Sequence, residues 1–203
     1  MYIAHPPHKI AVTGGIGSGK SVVSCLLRMM GVPVYDCDSE AKKLMNTSPE
    51  IRRALTEAVG AEVYGADGCI NRPYLASYMF GHPEHVAIVN HIVHPAVRAH
   101  FNQWAMCTHS PLVAVETAIL YESGMDTDVD SVLLVHAPLD LRVSRAMQRD
   151  SADEQSIRRR ISAQTPDEEL MPKATYVIVN DETRSLIAQT RQTLALIAQK
   201  CKS

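Results

Sequence analysis

At 203 residues, with 46% apolar and 21% charged side chains, the chain can bury a substantial core and suits one compact domain with room for insertions. A formal net charge of -2 without charge-rich or low-complexity tracts excludes a disordered, coiled-coil or polyanion-coating protein, so no nucleic-acid partner is expected. The start, MYIAHPPHK, lacks an apolar signal core and no run of about 18 apolar residues follows, so neither secretion nor a membrane span is expected; five scattered cysteines without a C-x-x-C pair suit a reducing cytoplasm better than a disulfide framework or zinc site.

The first element expected is a strand over KIAVT near Ile10, followed by a glycine-rich break and a helix after Gly19. A second strand, VPVYD, ends at Asp36, and helices are expected over Ser39–Met45 and Pro49–Val59, with several more between Arg72 and Met106. The remaining strands are PLVAVE ending at Glu116, SVLLVHA around Leu134 and TYVIVN ending at Asn180, with helices over Leu139–Arg149, Glu154–Ala163 and Thr183–Gln199. The strands are short and nearly continuous in apolar character, as a parallel sheet covered on both faces requires, and the alternation predicts a doubly wound α/β domain. About 75 residues between Asp36 and Leu112 far exceed one crossover of about 12, which predicts an inserted helical subdomain. Met29, Met30 and Met79 are expected to fill core gaps and Trp104 to anchor the insert.

The break reads Gly14-Gly15-Ile16-Gly17-Ser18-Gly19-Lys20-Ser21 and fits G-x-x-x-x-G-K-[ST] between a strand and a helix. Such a loop aims backbone N–H groups and a helix N-terminus at phosphate; Lys20 can reach β- and γ-phosphates, and the Ser21 hydroxyl can ligate Mg²⁺. Asp36 and Asp38 fall at the carboxyl end of the second strand, where a carboxylate can accept a hydroxyl proton or hold Mg²⁺ through water, although Asp38 with Ser39 also reads as a helix N-cap. Arg142, Arg145 and Arg149 share a helix face and Arg158, Arg159 and Arg160 follow; of these, Arg145, Arg149 and Arg160 are the candidates for stabilising transferring charge, with Arg158 and Arg159 in solvent. Glu116 ends the third strand, where a Walker-B carboxylate belongs; His91 and His94 lack a third ligand for a metal.

In these motifs the chain resembles the dephospho-coenzyme A kinases. The likeness runs from about Ile10 to Gln199 and is carried by TGGIGSGKS, GVPVYDCDSEAKKL, VNHIVHPAV, AILYESG, RAMQRD, RRISAQ and VIVND in that order. It implies a three-layer α/β/α P-loop kinase fold with a parallel five-stranded sheet: core 8–38, 110–138 and 170–203, a CoA-binding helical insert at about 39–109 and a short helical lid at about 139–169, all within a single domain over 1–203. It further implies ATP-dependent phosphorylation of the 3′-hydroxyl of dephospho-CoA, the last step of CoA synthesis, with ATP and Mg²⁺. Asp38 then matches the family's general base, acting with Lys20 and Arg149; ATP falls to Gly15, Ile16, Gly17, Ser18, Gly19, Lys20, Ser21, Val22, Arg145 and Asn180, and the acceptor to Asp36, His94, Glu116 and Arg160. The chain departs from the family at Glu116, often Asp, at Ala118-Ile119-Leu120, often Pro-Leu-Leu, and at Val22, often Thr. A kinase for another nucleoside, nucleotide or small hydroxyl acceptor is the alternative; a guanine-nucleotide switch would need an N-K-x-D that is not found after the fourth strand. The sequence specifies no oligomeric state.

Overall fold

The computed structural model describes residues 6–200. Cys201 and the extreme ends of the expected domain lie outside the described residues. The chain divides into two compact units, one made of the segments up to Tyr35 and from Ala105, the other of the continuous segment Asp36–Trp104.

The first unit is built on strands β1 (His8–Thr13), β2 (Val34–Asp36), β3 (Leu112–Glu116), β4 (Ser131–His136) and β5 (Tyr176–Val179), in the order β2-β3-β1-β4-β5. The sheet is parallel: β1 pairs with β3 (Val12 opposite Glu116) and with β4 (Val12 opposite Leu133), and β4 pairs with β5. Ile10, Val12, Leu133, Val135 and Ile178 join Val23 and Leu27 of helix α1 (Lys20–Met29) and Ile197 of the C-terminal helix in one core cluster. The alternate strand positions Ala11, Val113, Val115 and Leu134 are also fully buried, so both faces of the sheet are covered, which is why these strands read as unbroken apolar runs. Met29 departs from expectation: it is 78% exposed, because it ends α1 roughly on the side opposite the buried stripe of Val23 and Leu27.

The second unit is helical, with α2 (Cys37–Thr47), α3 (Pro49–Val59), α4 (Arg72–Met79) and the greater part of α5 (Pro83–Cys107). Ser48 caps α3 and Asn71 caps α4 through their side chains, each with proline in the first turn, which suits the fixed φ of that ring. Tyr64 donates to the Met45 carbonyl at 2.7 Å and the Ile70 N–H donates to Asn46 Oδ1 at 2.8 Å, stitching the loop between α3 and α4 to α2, while the Asn71 N–H closes the loop on itself by donating to the Val63 carbonyl at 2.8 Å. Where several helices were expected up to Met106, α5 is continuous through Pro95. Its buried positions Val89, Val93, Val97, Phe101 and Ala105 recur every four residues, and Pro95 and His91 lie exposed off that stripe. The His91 carbonyl, which loses its helical donor to the proline ring, is thereby left where water can satisfy it.

The remaining helices, α6 (Leu139–Asp150), α7 (Glu154–Ser162), α8 (Asp167–Leu170) and α9 (Leu186–Lys200), belong to the first unit. Val143, Ala146 and Ile157 make a second small core between α6 and α7, with Ile16 packed against it.

Candidate active site

The register that sets Val12 against Glu116 brings the end of β3 and the loop leaving β1 to the same edge of the sheet, the edge where open α/β sheets bind ligands. Between Thr13 and Lys20 the chain makes the glycine-rich turn. Gly19 is the N-cap of α1 with φ 97°, a left-handed conformation, and a Cβ there would strike the Asn180 amide. No side chain caps α1, so the positive end of its dipole is presented to the loop. Ser18 is fully buried and its hydroxyl has no partner among the described residues. Lys20 is half-buried, and its ammonium donates to the carbonyls of Gly14 (2.7 Å) and Gly15 (3.1 Å), folding the side chain over the loop it follows. Together these features make a cradle for the phosphates of a nucleotide.

The Ser21 hydroxyl donates to Glu116 Oε1 at 2.8 Å, uniting two residues that are 95 positions apart. A hydroxyl and a carboxylate beside a phosphate cradle form an all-oxygen donor set, which suits a hard cation such as Mg²⁺. Glu116 thus stands at the end of β3 beside the first turn of α1. Val22 is half exposed on the first turn of α1.

Arg145 and Asn180 also come together. The Arg145 guanidinium donates to the Asn180 carbonyl (3.3 Å), to its Oδ1 (3.4 Å) and to Glu182 (3.1 Å), while the Asn180 amide donates to the Ser18 carbonyl (2.8 Å). Arg149 and Arg160 converge on Asp150: Arg149 with two bonds of 2.7 and 3.1 Å, Arg160 with one of 2.6 Å. The Arg149 and Arg160 guanidiniums hold the Asp150 carboxyl far below the usual carboxylate range. Arg158 and Arg159 are exposed, the former paired with Glu154 at 2.7 Å.

The remaining candidates belong to the helical unit. The N-cap of α2 is Asp36, not Asp38: Asp36 Oδ1 accepts from the N–H groups of Asp38 (3.0 Å) and Ser39 (3.2 Å), and Oδ2 from the Ser39 hydroxyl (2.8 Å). Asp36 has the extended backbone an N-cap requires, so the Asp38–Ser39 capping pair read from spacing is corrected by two residues, and Asp38 stands exposed in the first turn of α2. His94 is half-buried on α5, and burial pushes its imidazole below the ordinary histidine pKa.

Four residues that the sequence reading did not assign to the site lie against the loop or against one another beside it. Arg142 is buried, donates to the Ile16 carbonyl (3.0 Å) and pairs with the buried Asp167 (3.3 Å), which in turn accepts from His136 (2.6 Å); Gln164 accepts from the Ile16 N–H (2.7 Å). Arg142 was visible only as one of three arginines on a face, and nothing local distinguishes the one that points inward.

A glycine-rich phosphate cradle after the first strand of a parallel sheet, a serine in the first turn of α1 bonded to a carboxylate at the end of β3, and an arginine-bearing pair of helices define a P-loop protein of the kinase type. The chain belongs to the dephospho-CoA kinase family, whose model matches residues 8–185. The dephospho-CoA kinase of Bacteroides fragilis is 47% identical over 195 residues, covering 95% of this chain and 94% of that one. Among solved structures, the protein TT1252 of Thermus thermophilus superposes with a TM-score of 0.78 at 37% identity, covering 96% of this chain and 98% of that one. The dephospho-CoA kinase of Campylobacter jejuni, at 22% identity, shares the fold with a TM-score of 0.69 over 95% and 98% of the two chains.

Proposed function

We propose that the chain transfers the γ-phosphoryl group of ATP to the ribose 3′-hydroxyl of dephospho-CoA, giving coenzyme A in the last step of its biosynthesis, and that it does so in the cytoplasm. The observation that carries this reading is the near-full-length identity with the Bacteroides fragilis dephospho-CoA kinase. The phosphate cradle and its serine–carboxylate pair support the donor half of the reaction independently.

In this reading the loop from Gly15 to Val22 binds the donor. Lys20 exchanges its contacts with the Gly14 and Gly15 carbonyls for the β- and γ-phosphates, placing positive charge where negative charge moves during transfer. Arg145 and Asn180 flank the nucleotide beside Ser18. Ser21 and Glu116 would hold Mg²⁺, which when bound neutralises phosphate charge; Glu116 is therefore better read as a metal-side carboxylate than as an acceptor contact. Asp38, relieved of capping by Asp36, takes the proton of the attacking 3′-hydroxyl. Arg149 and Arg160 sit on α6 and α7 of the lid and exchange Asp150 for the equatorial oxygens of the transferring group. The helical insert, with Asp36 and His94, receives the acceptor and its pantetheine arm.

Remote binding of that arm can be used to orient the 3′-hydroxyl, so a shortened acceptor loses turnover as well as affinity. The expected kcat/KM for dephospho-CoA exceeds that for adenosine or AMP by about 10²-fold or more, roughly 2.7 kcal/mol of transition-state discrimination, with the new phosphate on the 3′-oxygen. A coupled assay of ATP consumption across these three acceptors, with the product's phosphate position read by NMR, decides it. Equal rates with AMP, or 5′-phosphorylation, would assign the chain to nucleotide kinases instead.

A further inference from the structure

Ile16, in the middle of the phosphate loop, is gripped at three points by the segment that follows β4. Its N–H donates to Gln164 Oε1 at 2.7 Å, its carbonyl accepts from Arg142 Nε at 3.0 Å, and its side chain packs against the core of Val143, Ala146 and Ile157. Both backbone hydrogen-bonding groups of this loop residue are thus held by side chains from the lid helices and the turn after them.

Arg142 does more than bond one carbonyl. A Cβ on Gly15 would strike its guanidinium, and a Cβ on Gly17, where φ is 76°, would strike its own backbone carbonyl. Positions 15 and 17 are ones that the G-x-x-x-x-G-K-[ST] pattern leaves open, and in this chain the closeness of Arg142 accounts for glycine at both. A buried guanidinium is tolerated only where a counter-charge and acceptors meet it. Asp167 supplies the charge: its side chain is 5% exposed, that of Arg142 8%, and they meet at 3.3 Å. Its second oxygen accepts at 2.6 Å from His136 Nδ1, which must carry the proton because a carboxylate facing it only accepts. The chain of contacts therefore runs from the end of β4 through α8 and α6 to the loop.

We infer that Arg142 is a positioning residue for the phosphate loop, held by Asp167 and His136, and that through it the lid segment sets the shape of the donor-nucleotide site. The inference rests on the reading of the loop as the ATP-phosphate site. It assigns Arg142 and Asp167 to the donor half alone, since neither touches the helical unit's candidate residues in sequence or in any described bond.

The test measures ADP binding by calorimetry, KM for ATP, KM for dephospho-CoA at saturating ATP, and melting temperature. It uses the whole chain and two variants: Arg142→Gln, and Arg142→Gln combined with Asp167→Asn, which removes both buried charges at once. Both variants should weaken ADP binding and raise KM for ATP about tenfold or more, while KM for dephospho-CoA stays within about twofold. The double variant should regain melting temperature over the single one without regaining ADP affinity, a split that a purely structural role does not produce. ADP affinity within about twofold of wild type in the folded double variant would overturn the inference while leaving the kinase reading intact. A wild-type chain that binds no ADP would instead bring down the phosphate-loop reading and this inference with it.

Discussion

Asp36 and Asp38 stand two positions apart, and what their carboxylates touch separates their roles. Asp36 satisfies the first N–H groups of α2, so Asp36→Ala should cost about 0.5–2 kcal/mol, read as a lower melting temperature. Asp38 is exposed and caps nothing, so Asp38→Asn should leave the melting temperature unchanged and cut turnover by about 10² or more. A stability loss at Asp38 with turnover spared would reverse the two assignments. The sequence alone placed both carboxylates at the strand end but could not tell which was the cap, because that depends on which backbone is still extended when the helix begins. The phosphate-loop motif, by contrast, was legible from local requirements, with Gly19, Lys20 and Ser21 consecutive, while the closeness of Arg142 to Gly15 and Gly17 was not. Ser21 with Glu116 was half legible, each residue being marked by its own strand or helix end while their pairing needed the parallel register. Arg142 was not legible as a buried group, since the partner that makes its burial possible is Asp167, 25 residues later.

Among the elements, the strands β1, β3 and β4 were readable because burial on both faces makes them nearly continuous apolar runs. Helix α5 was less so. Proline reads as a break, yet here it lies off the four-residue stripe from Val89 to Ala105, and tertiary burial of that stripe outweighs one missing backbone bond. His94 follows Val93 on this helix, and its half-burial has a consequence for stability. Burial holds its pKa below the ordinary value, so the unfolded chain binds the proton more readily than the folded one. The stabilisation associated with neutral His94 is therefore complete above the ordinary histidine pKa of about 6.5 and is lost as pH falls through the lower folded value. Melting curves across this range should show His94→Gln losing less stability on acidification than wild type does. An identical slope in both proteins would show that another group carries the acid sensitivity. The junction of Arg149 and Arg160 with Asp150 should persist throughout the same range, because Asp150 protonates only well below it.

At the scale of the whole molecule, the alternation of strands and helices announced an α/β sheet and the oversized stretch after Asp36 announced an insertion; the pairing of His8 with Leu112 joins the two chain segments of the sheet unit that flank that insertion. The continuous unit Asp36–Trp104 lies entirely between the two segments of the other unit. During synthesis, then, every residue of the insert has left the ribosome before β3 exists to pair with β1, and the exposed strand β1 must wait for a partner about 100 residues downstream. Closing so long a loop is slow, whereas the insert's contacts are local, so an order of events is built into the connectivity. Pulse-labelled hydrogen exchange during refolding should protect the amides of Leu55 and Phe101 before those of Ile10 and Leu133, and protection of the strand amides first would refute that order. The insertion point thus acts as a timer: the nucleotide cradle, which hangs from the end of β1, is able to assemble only once the helical unit has been made.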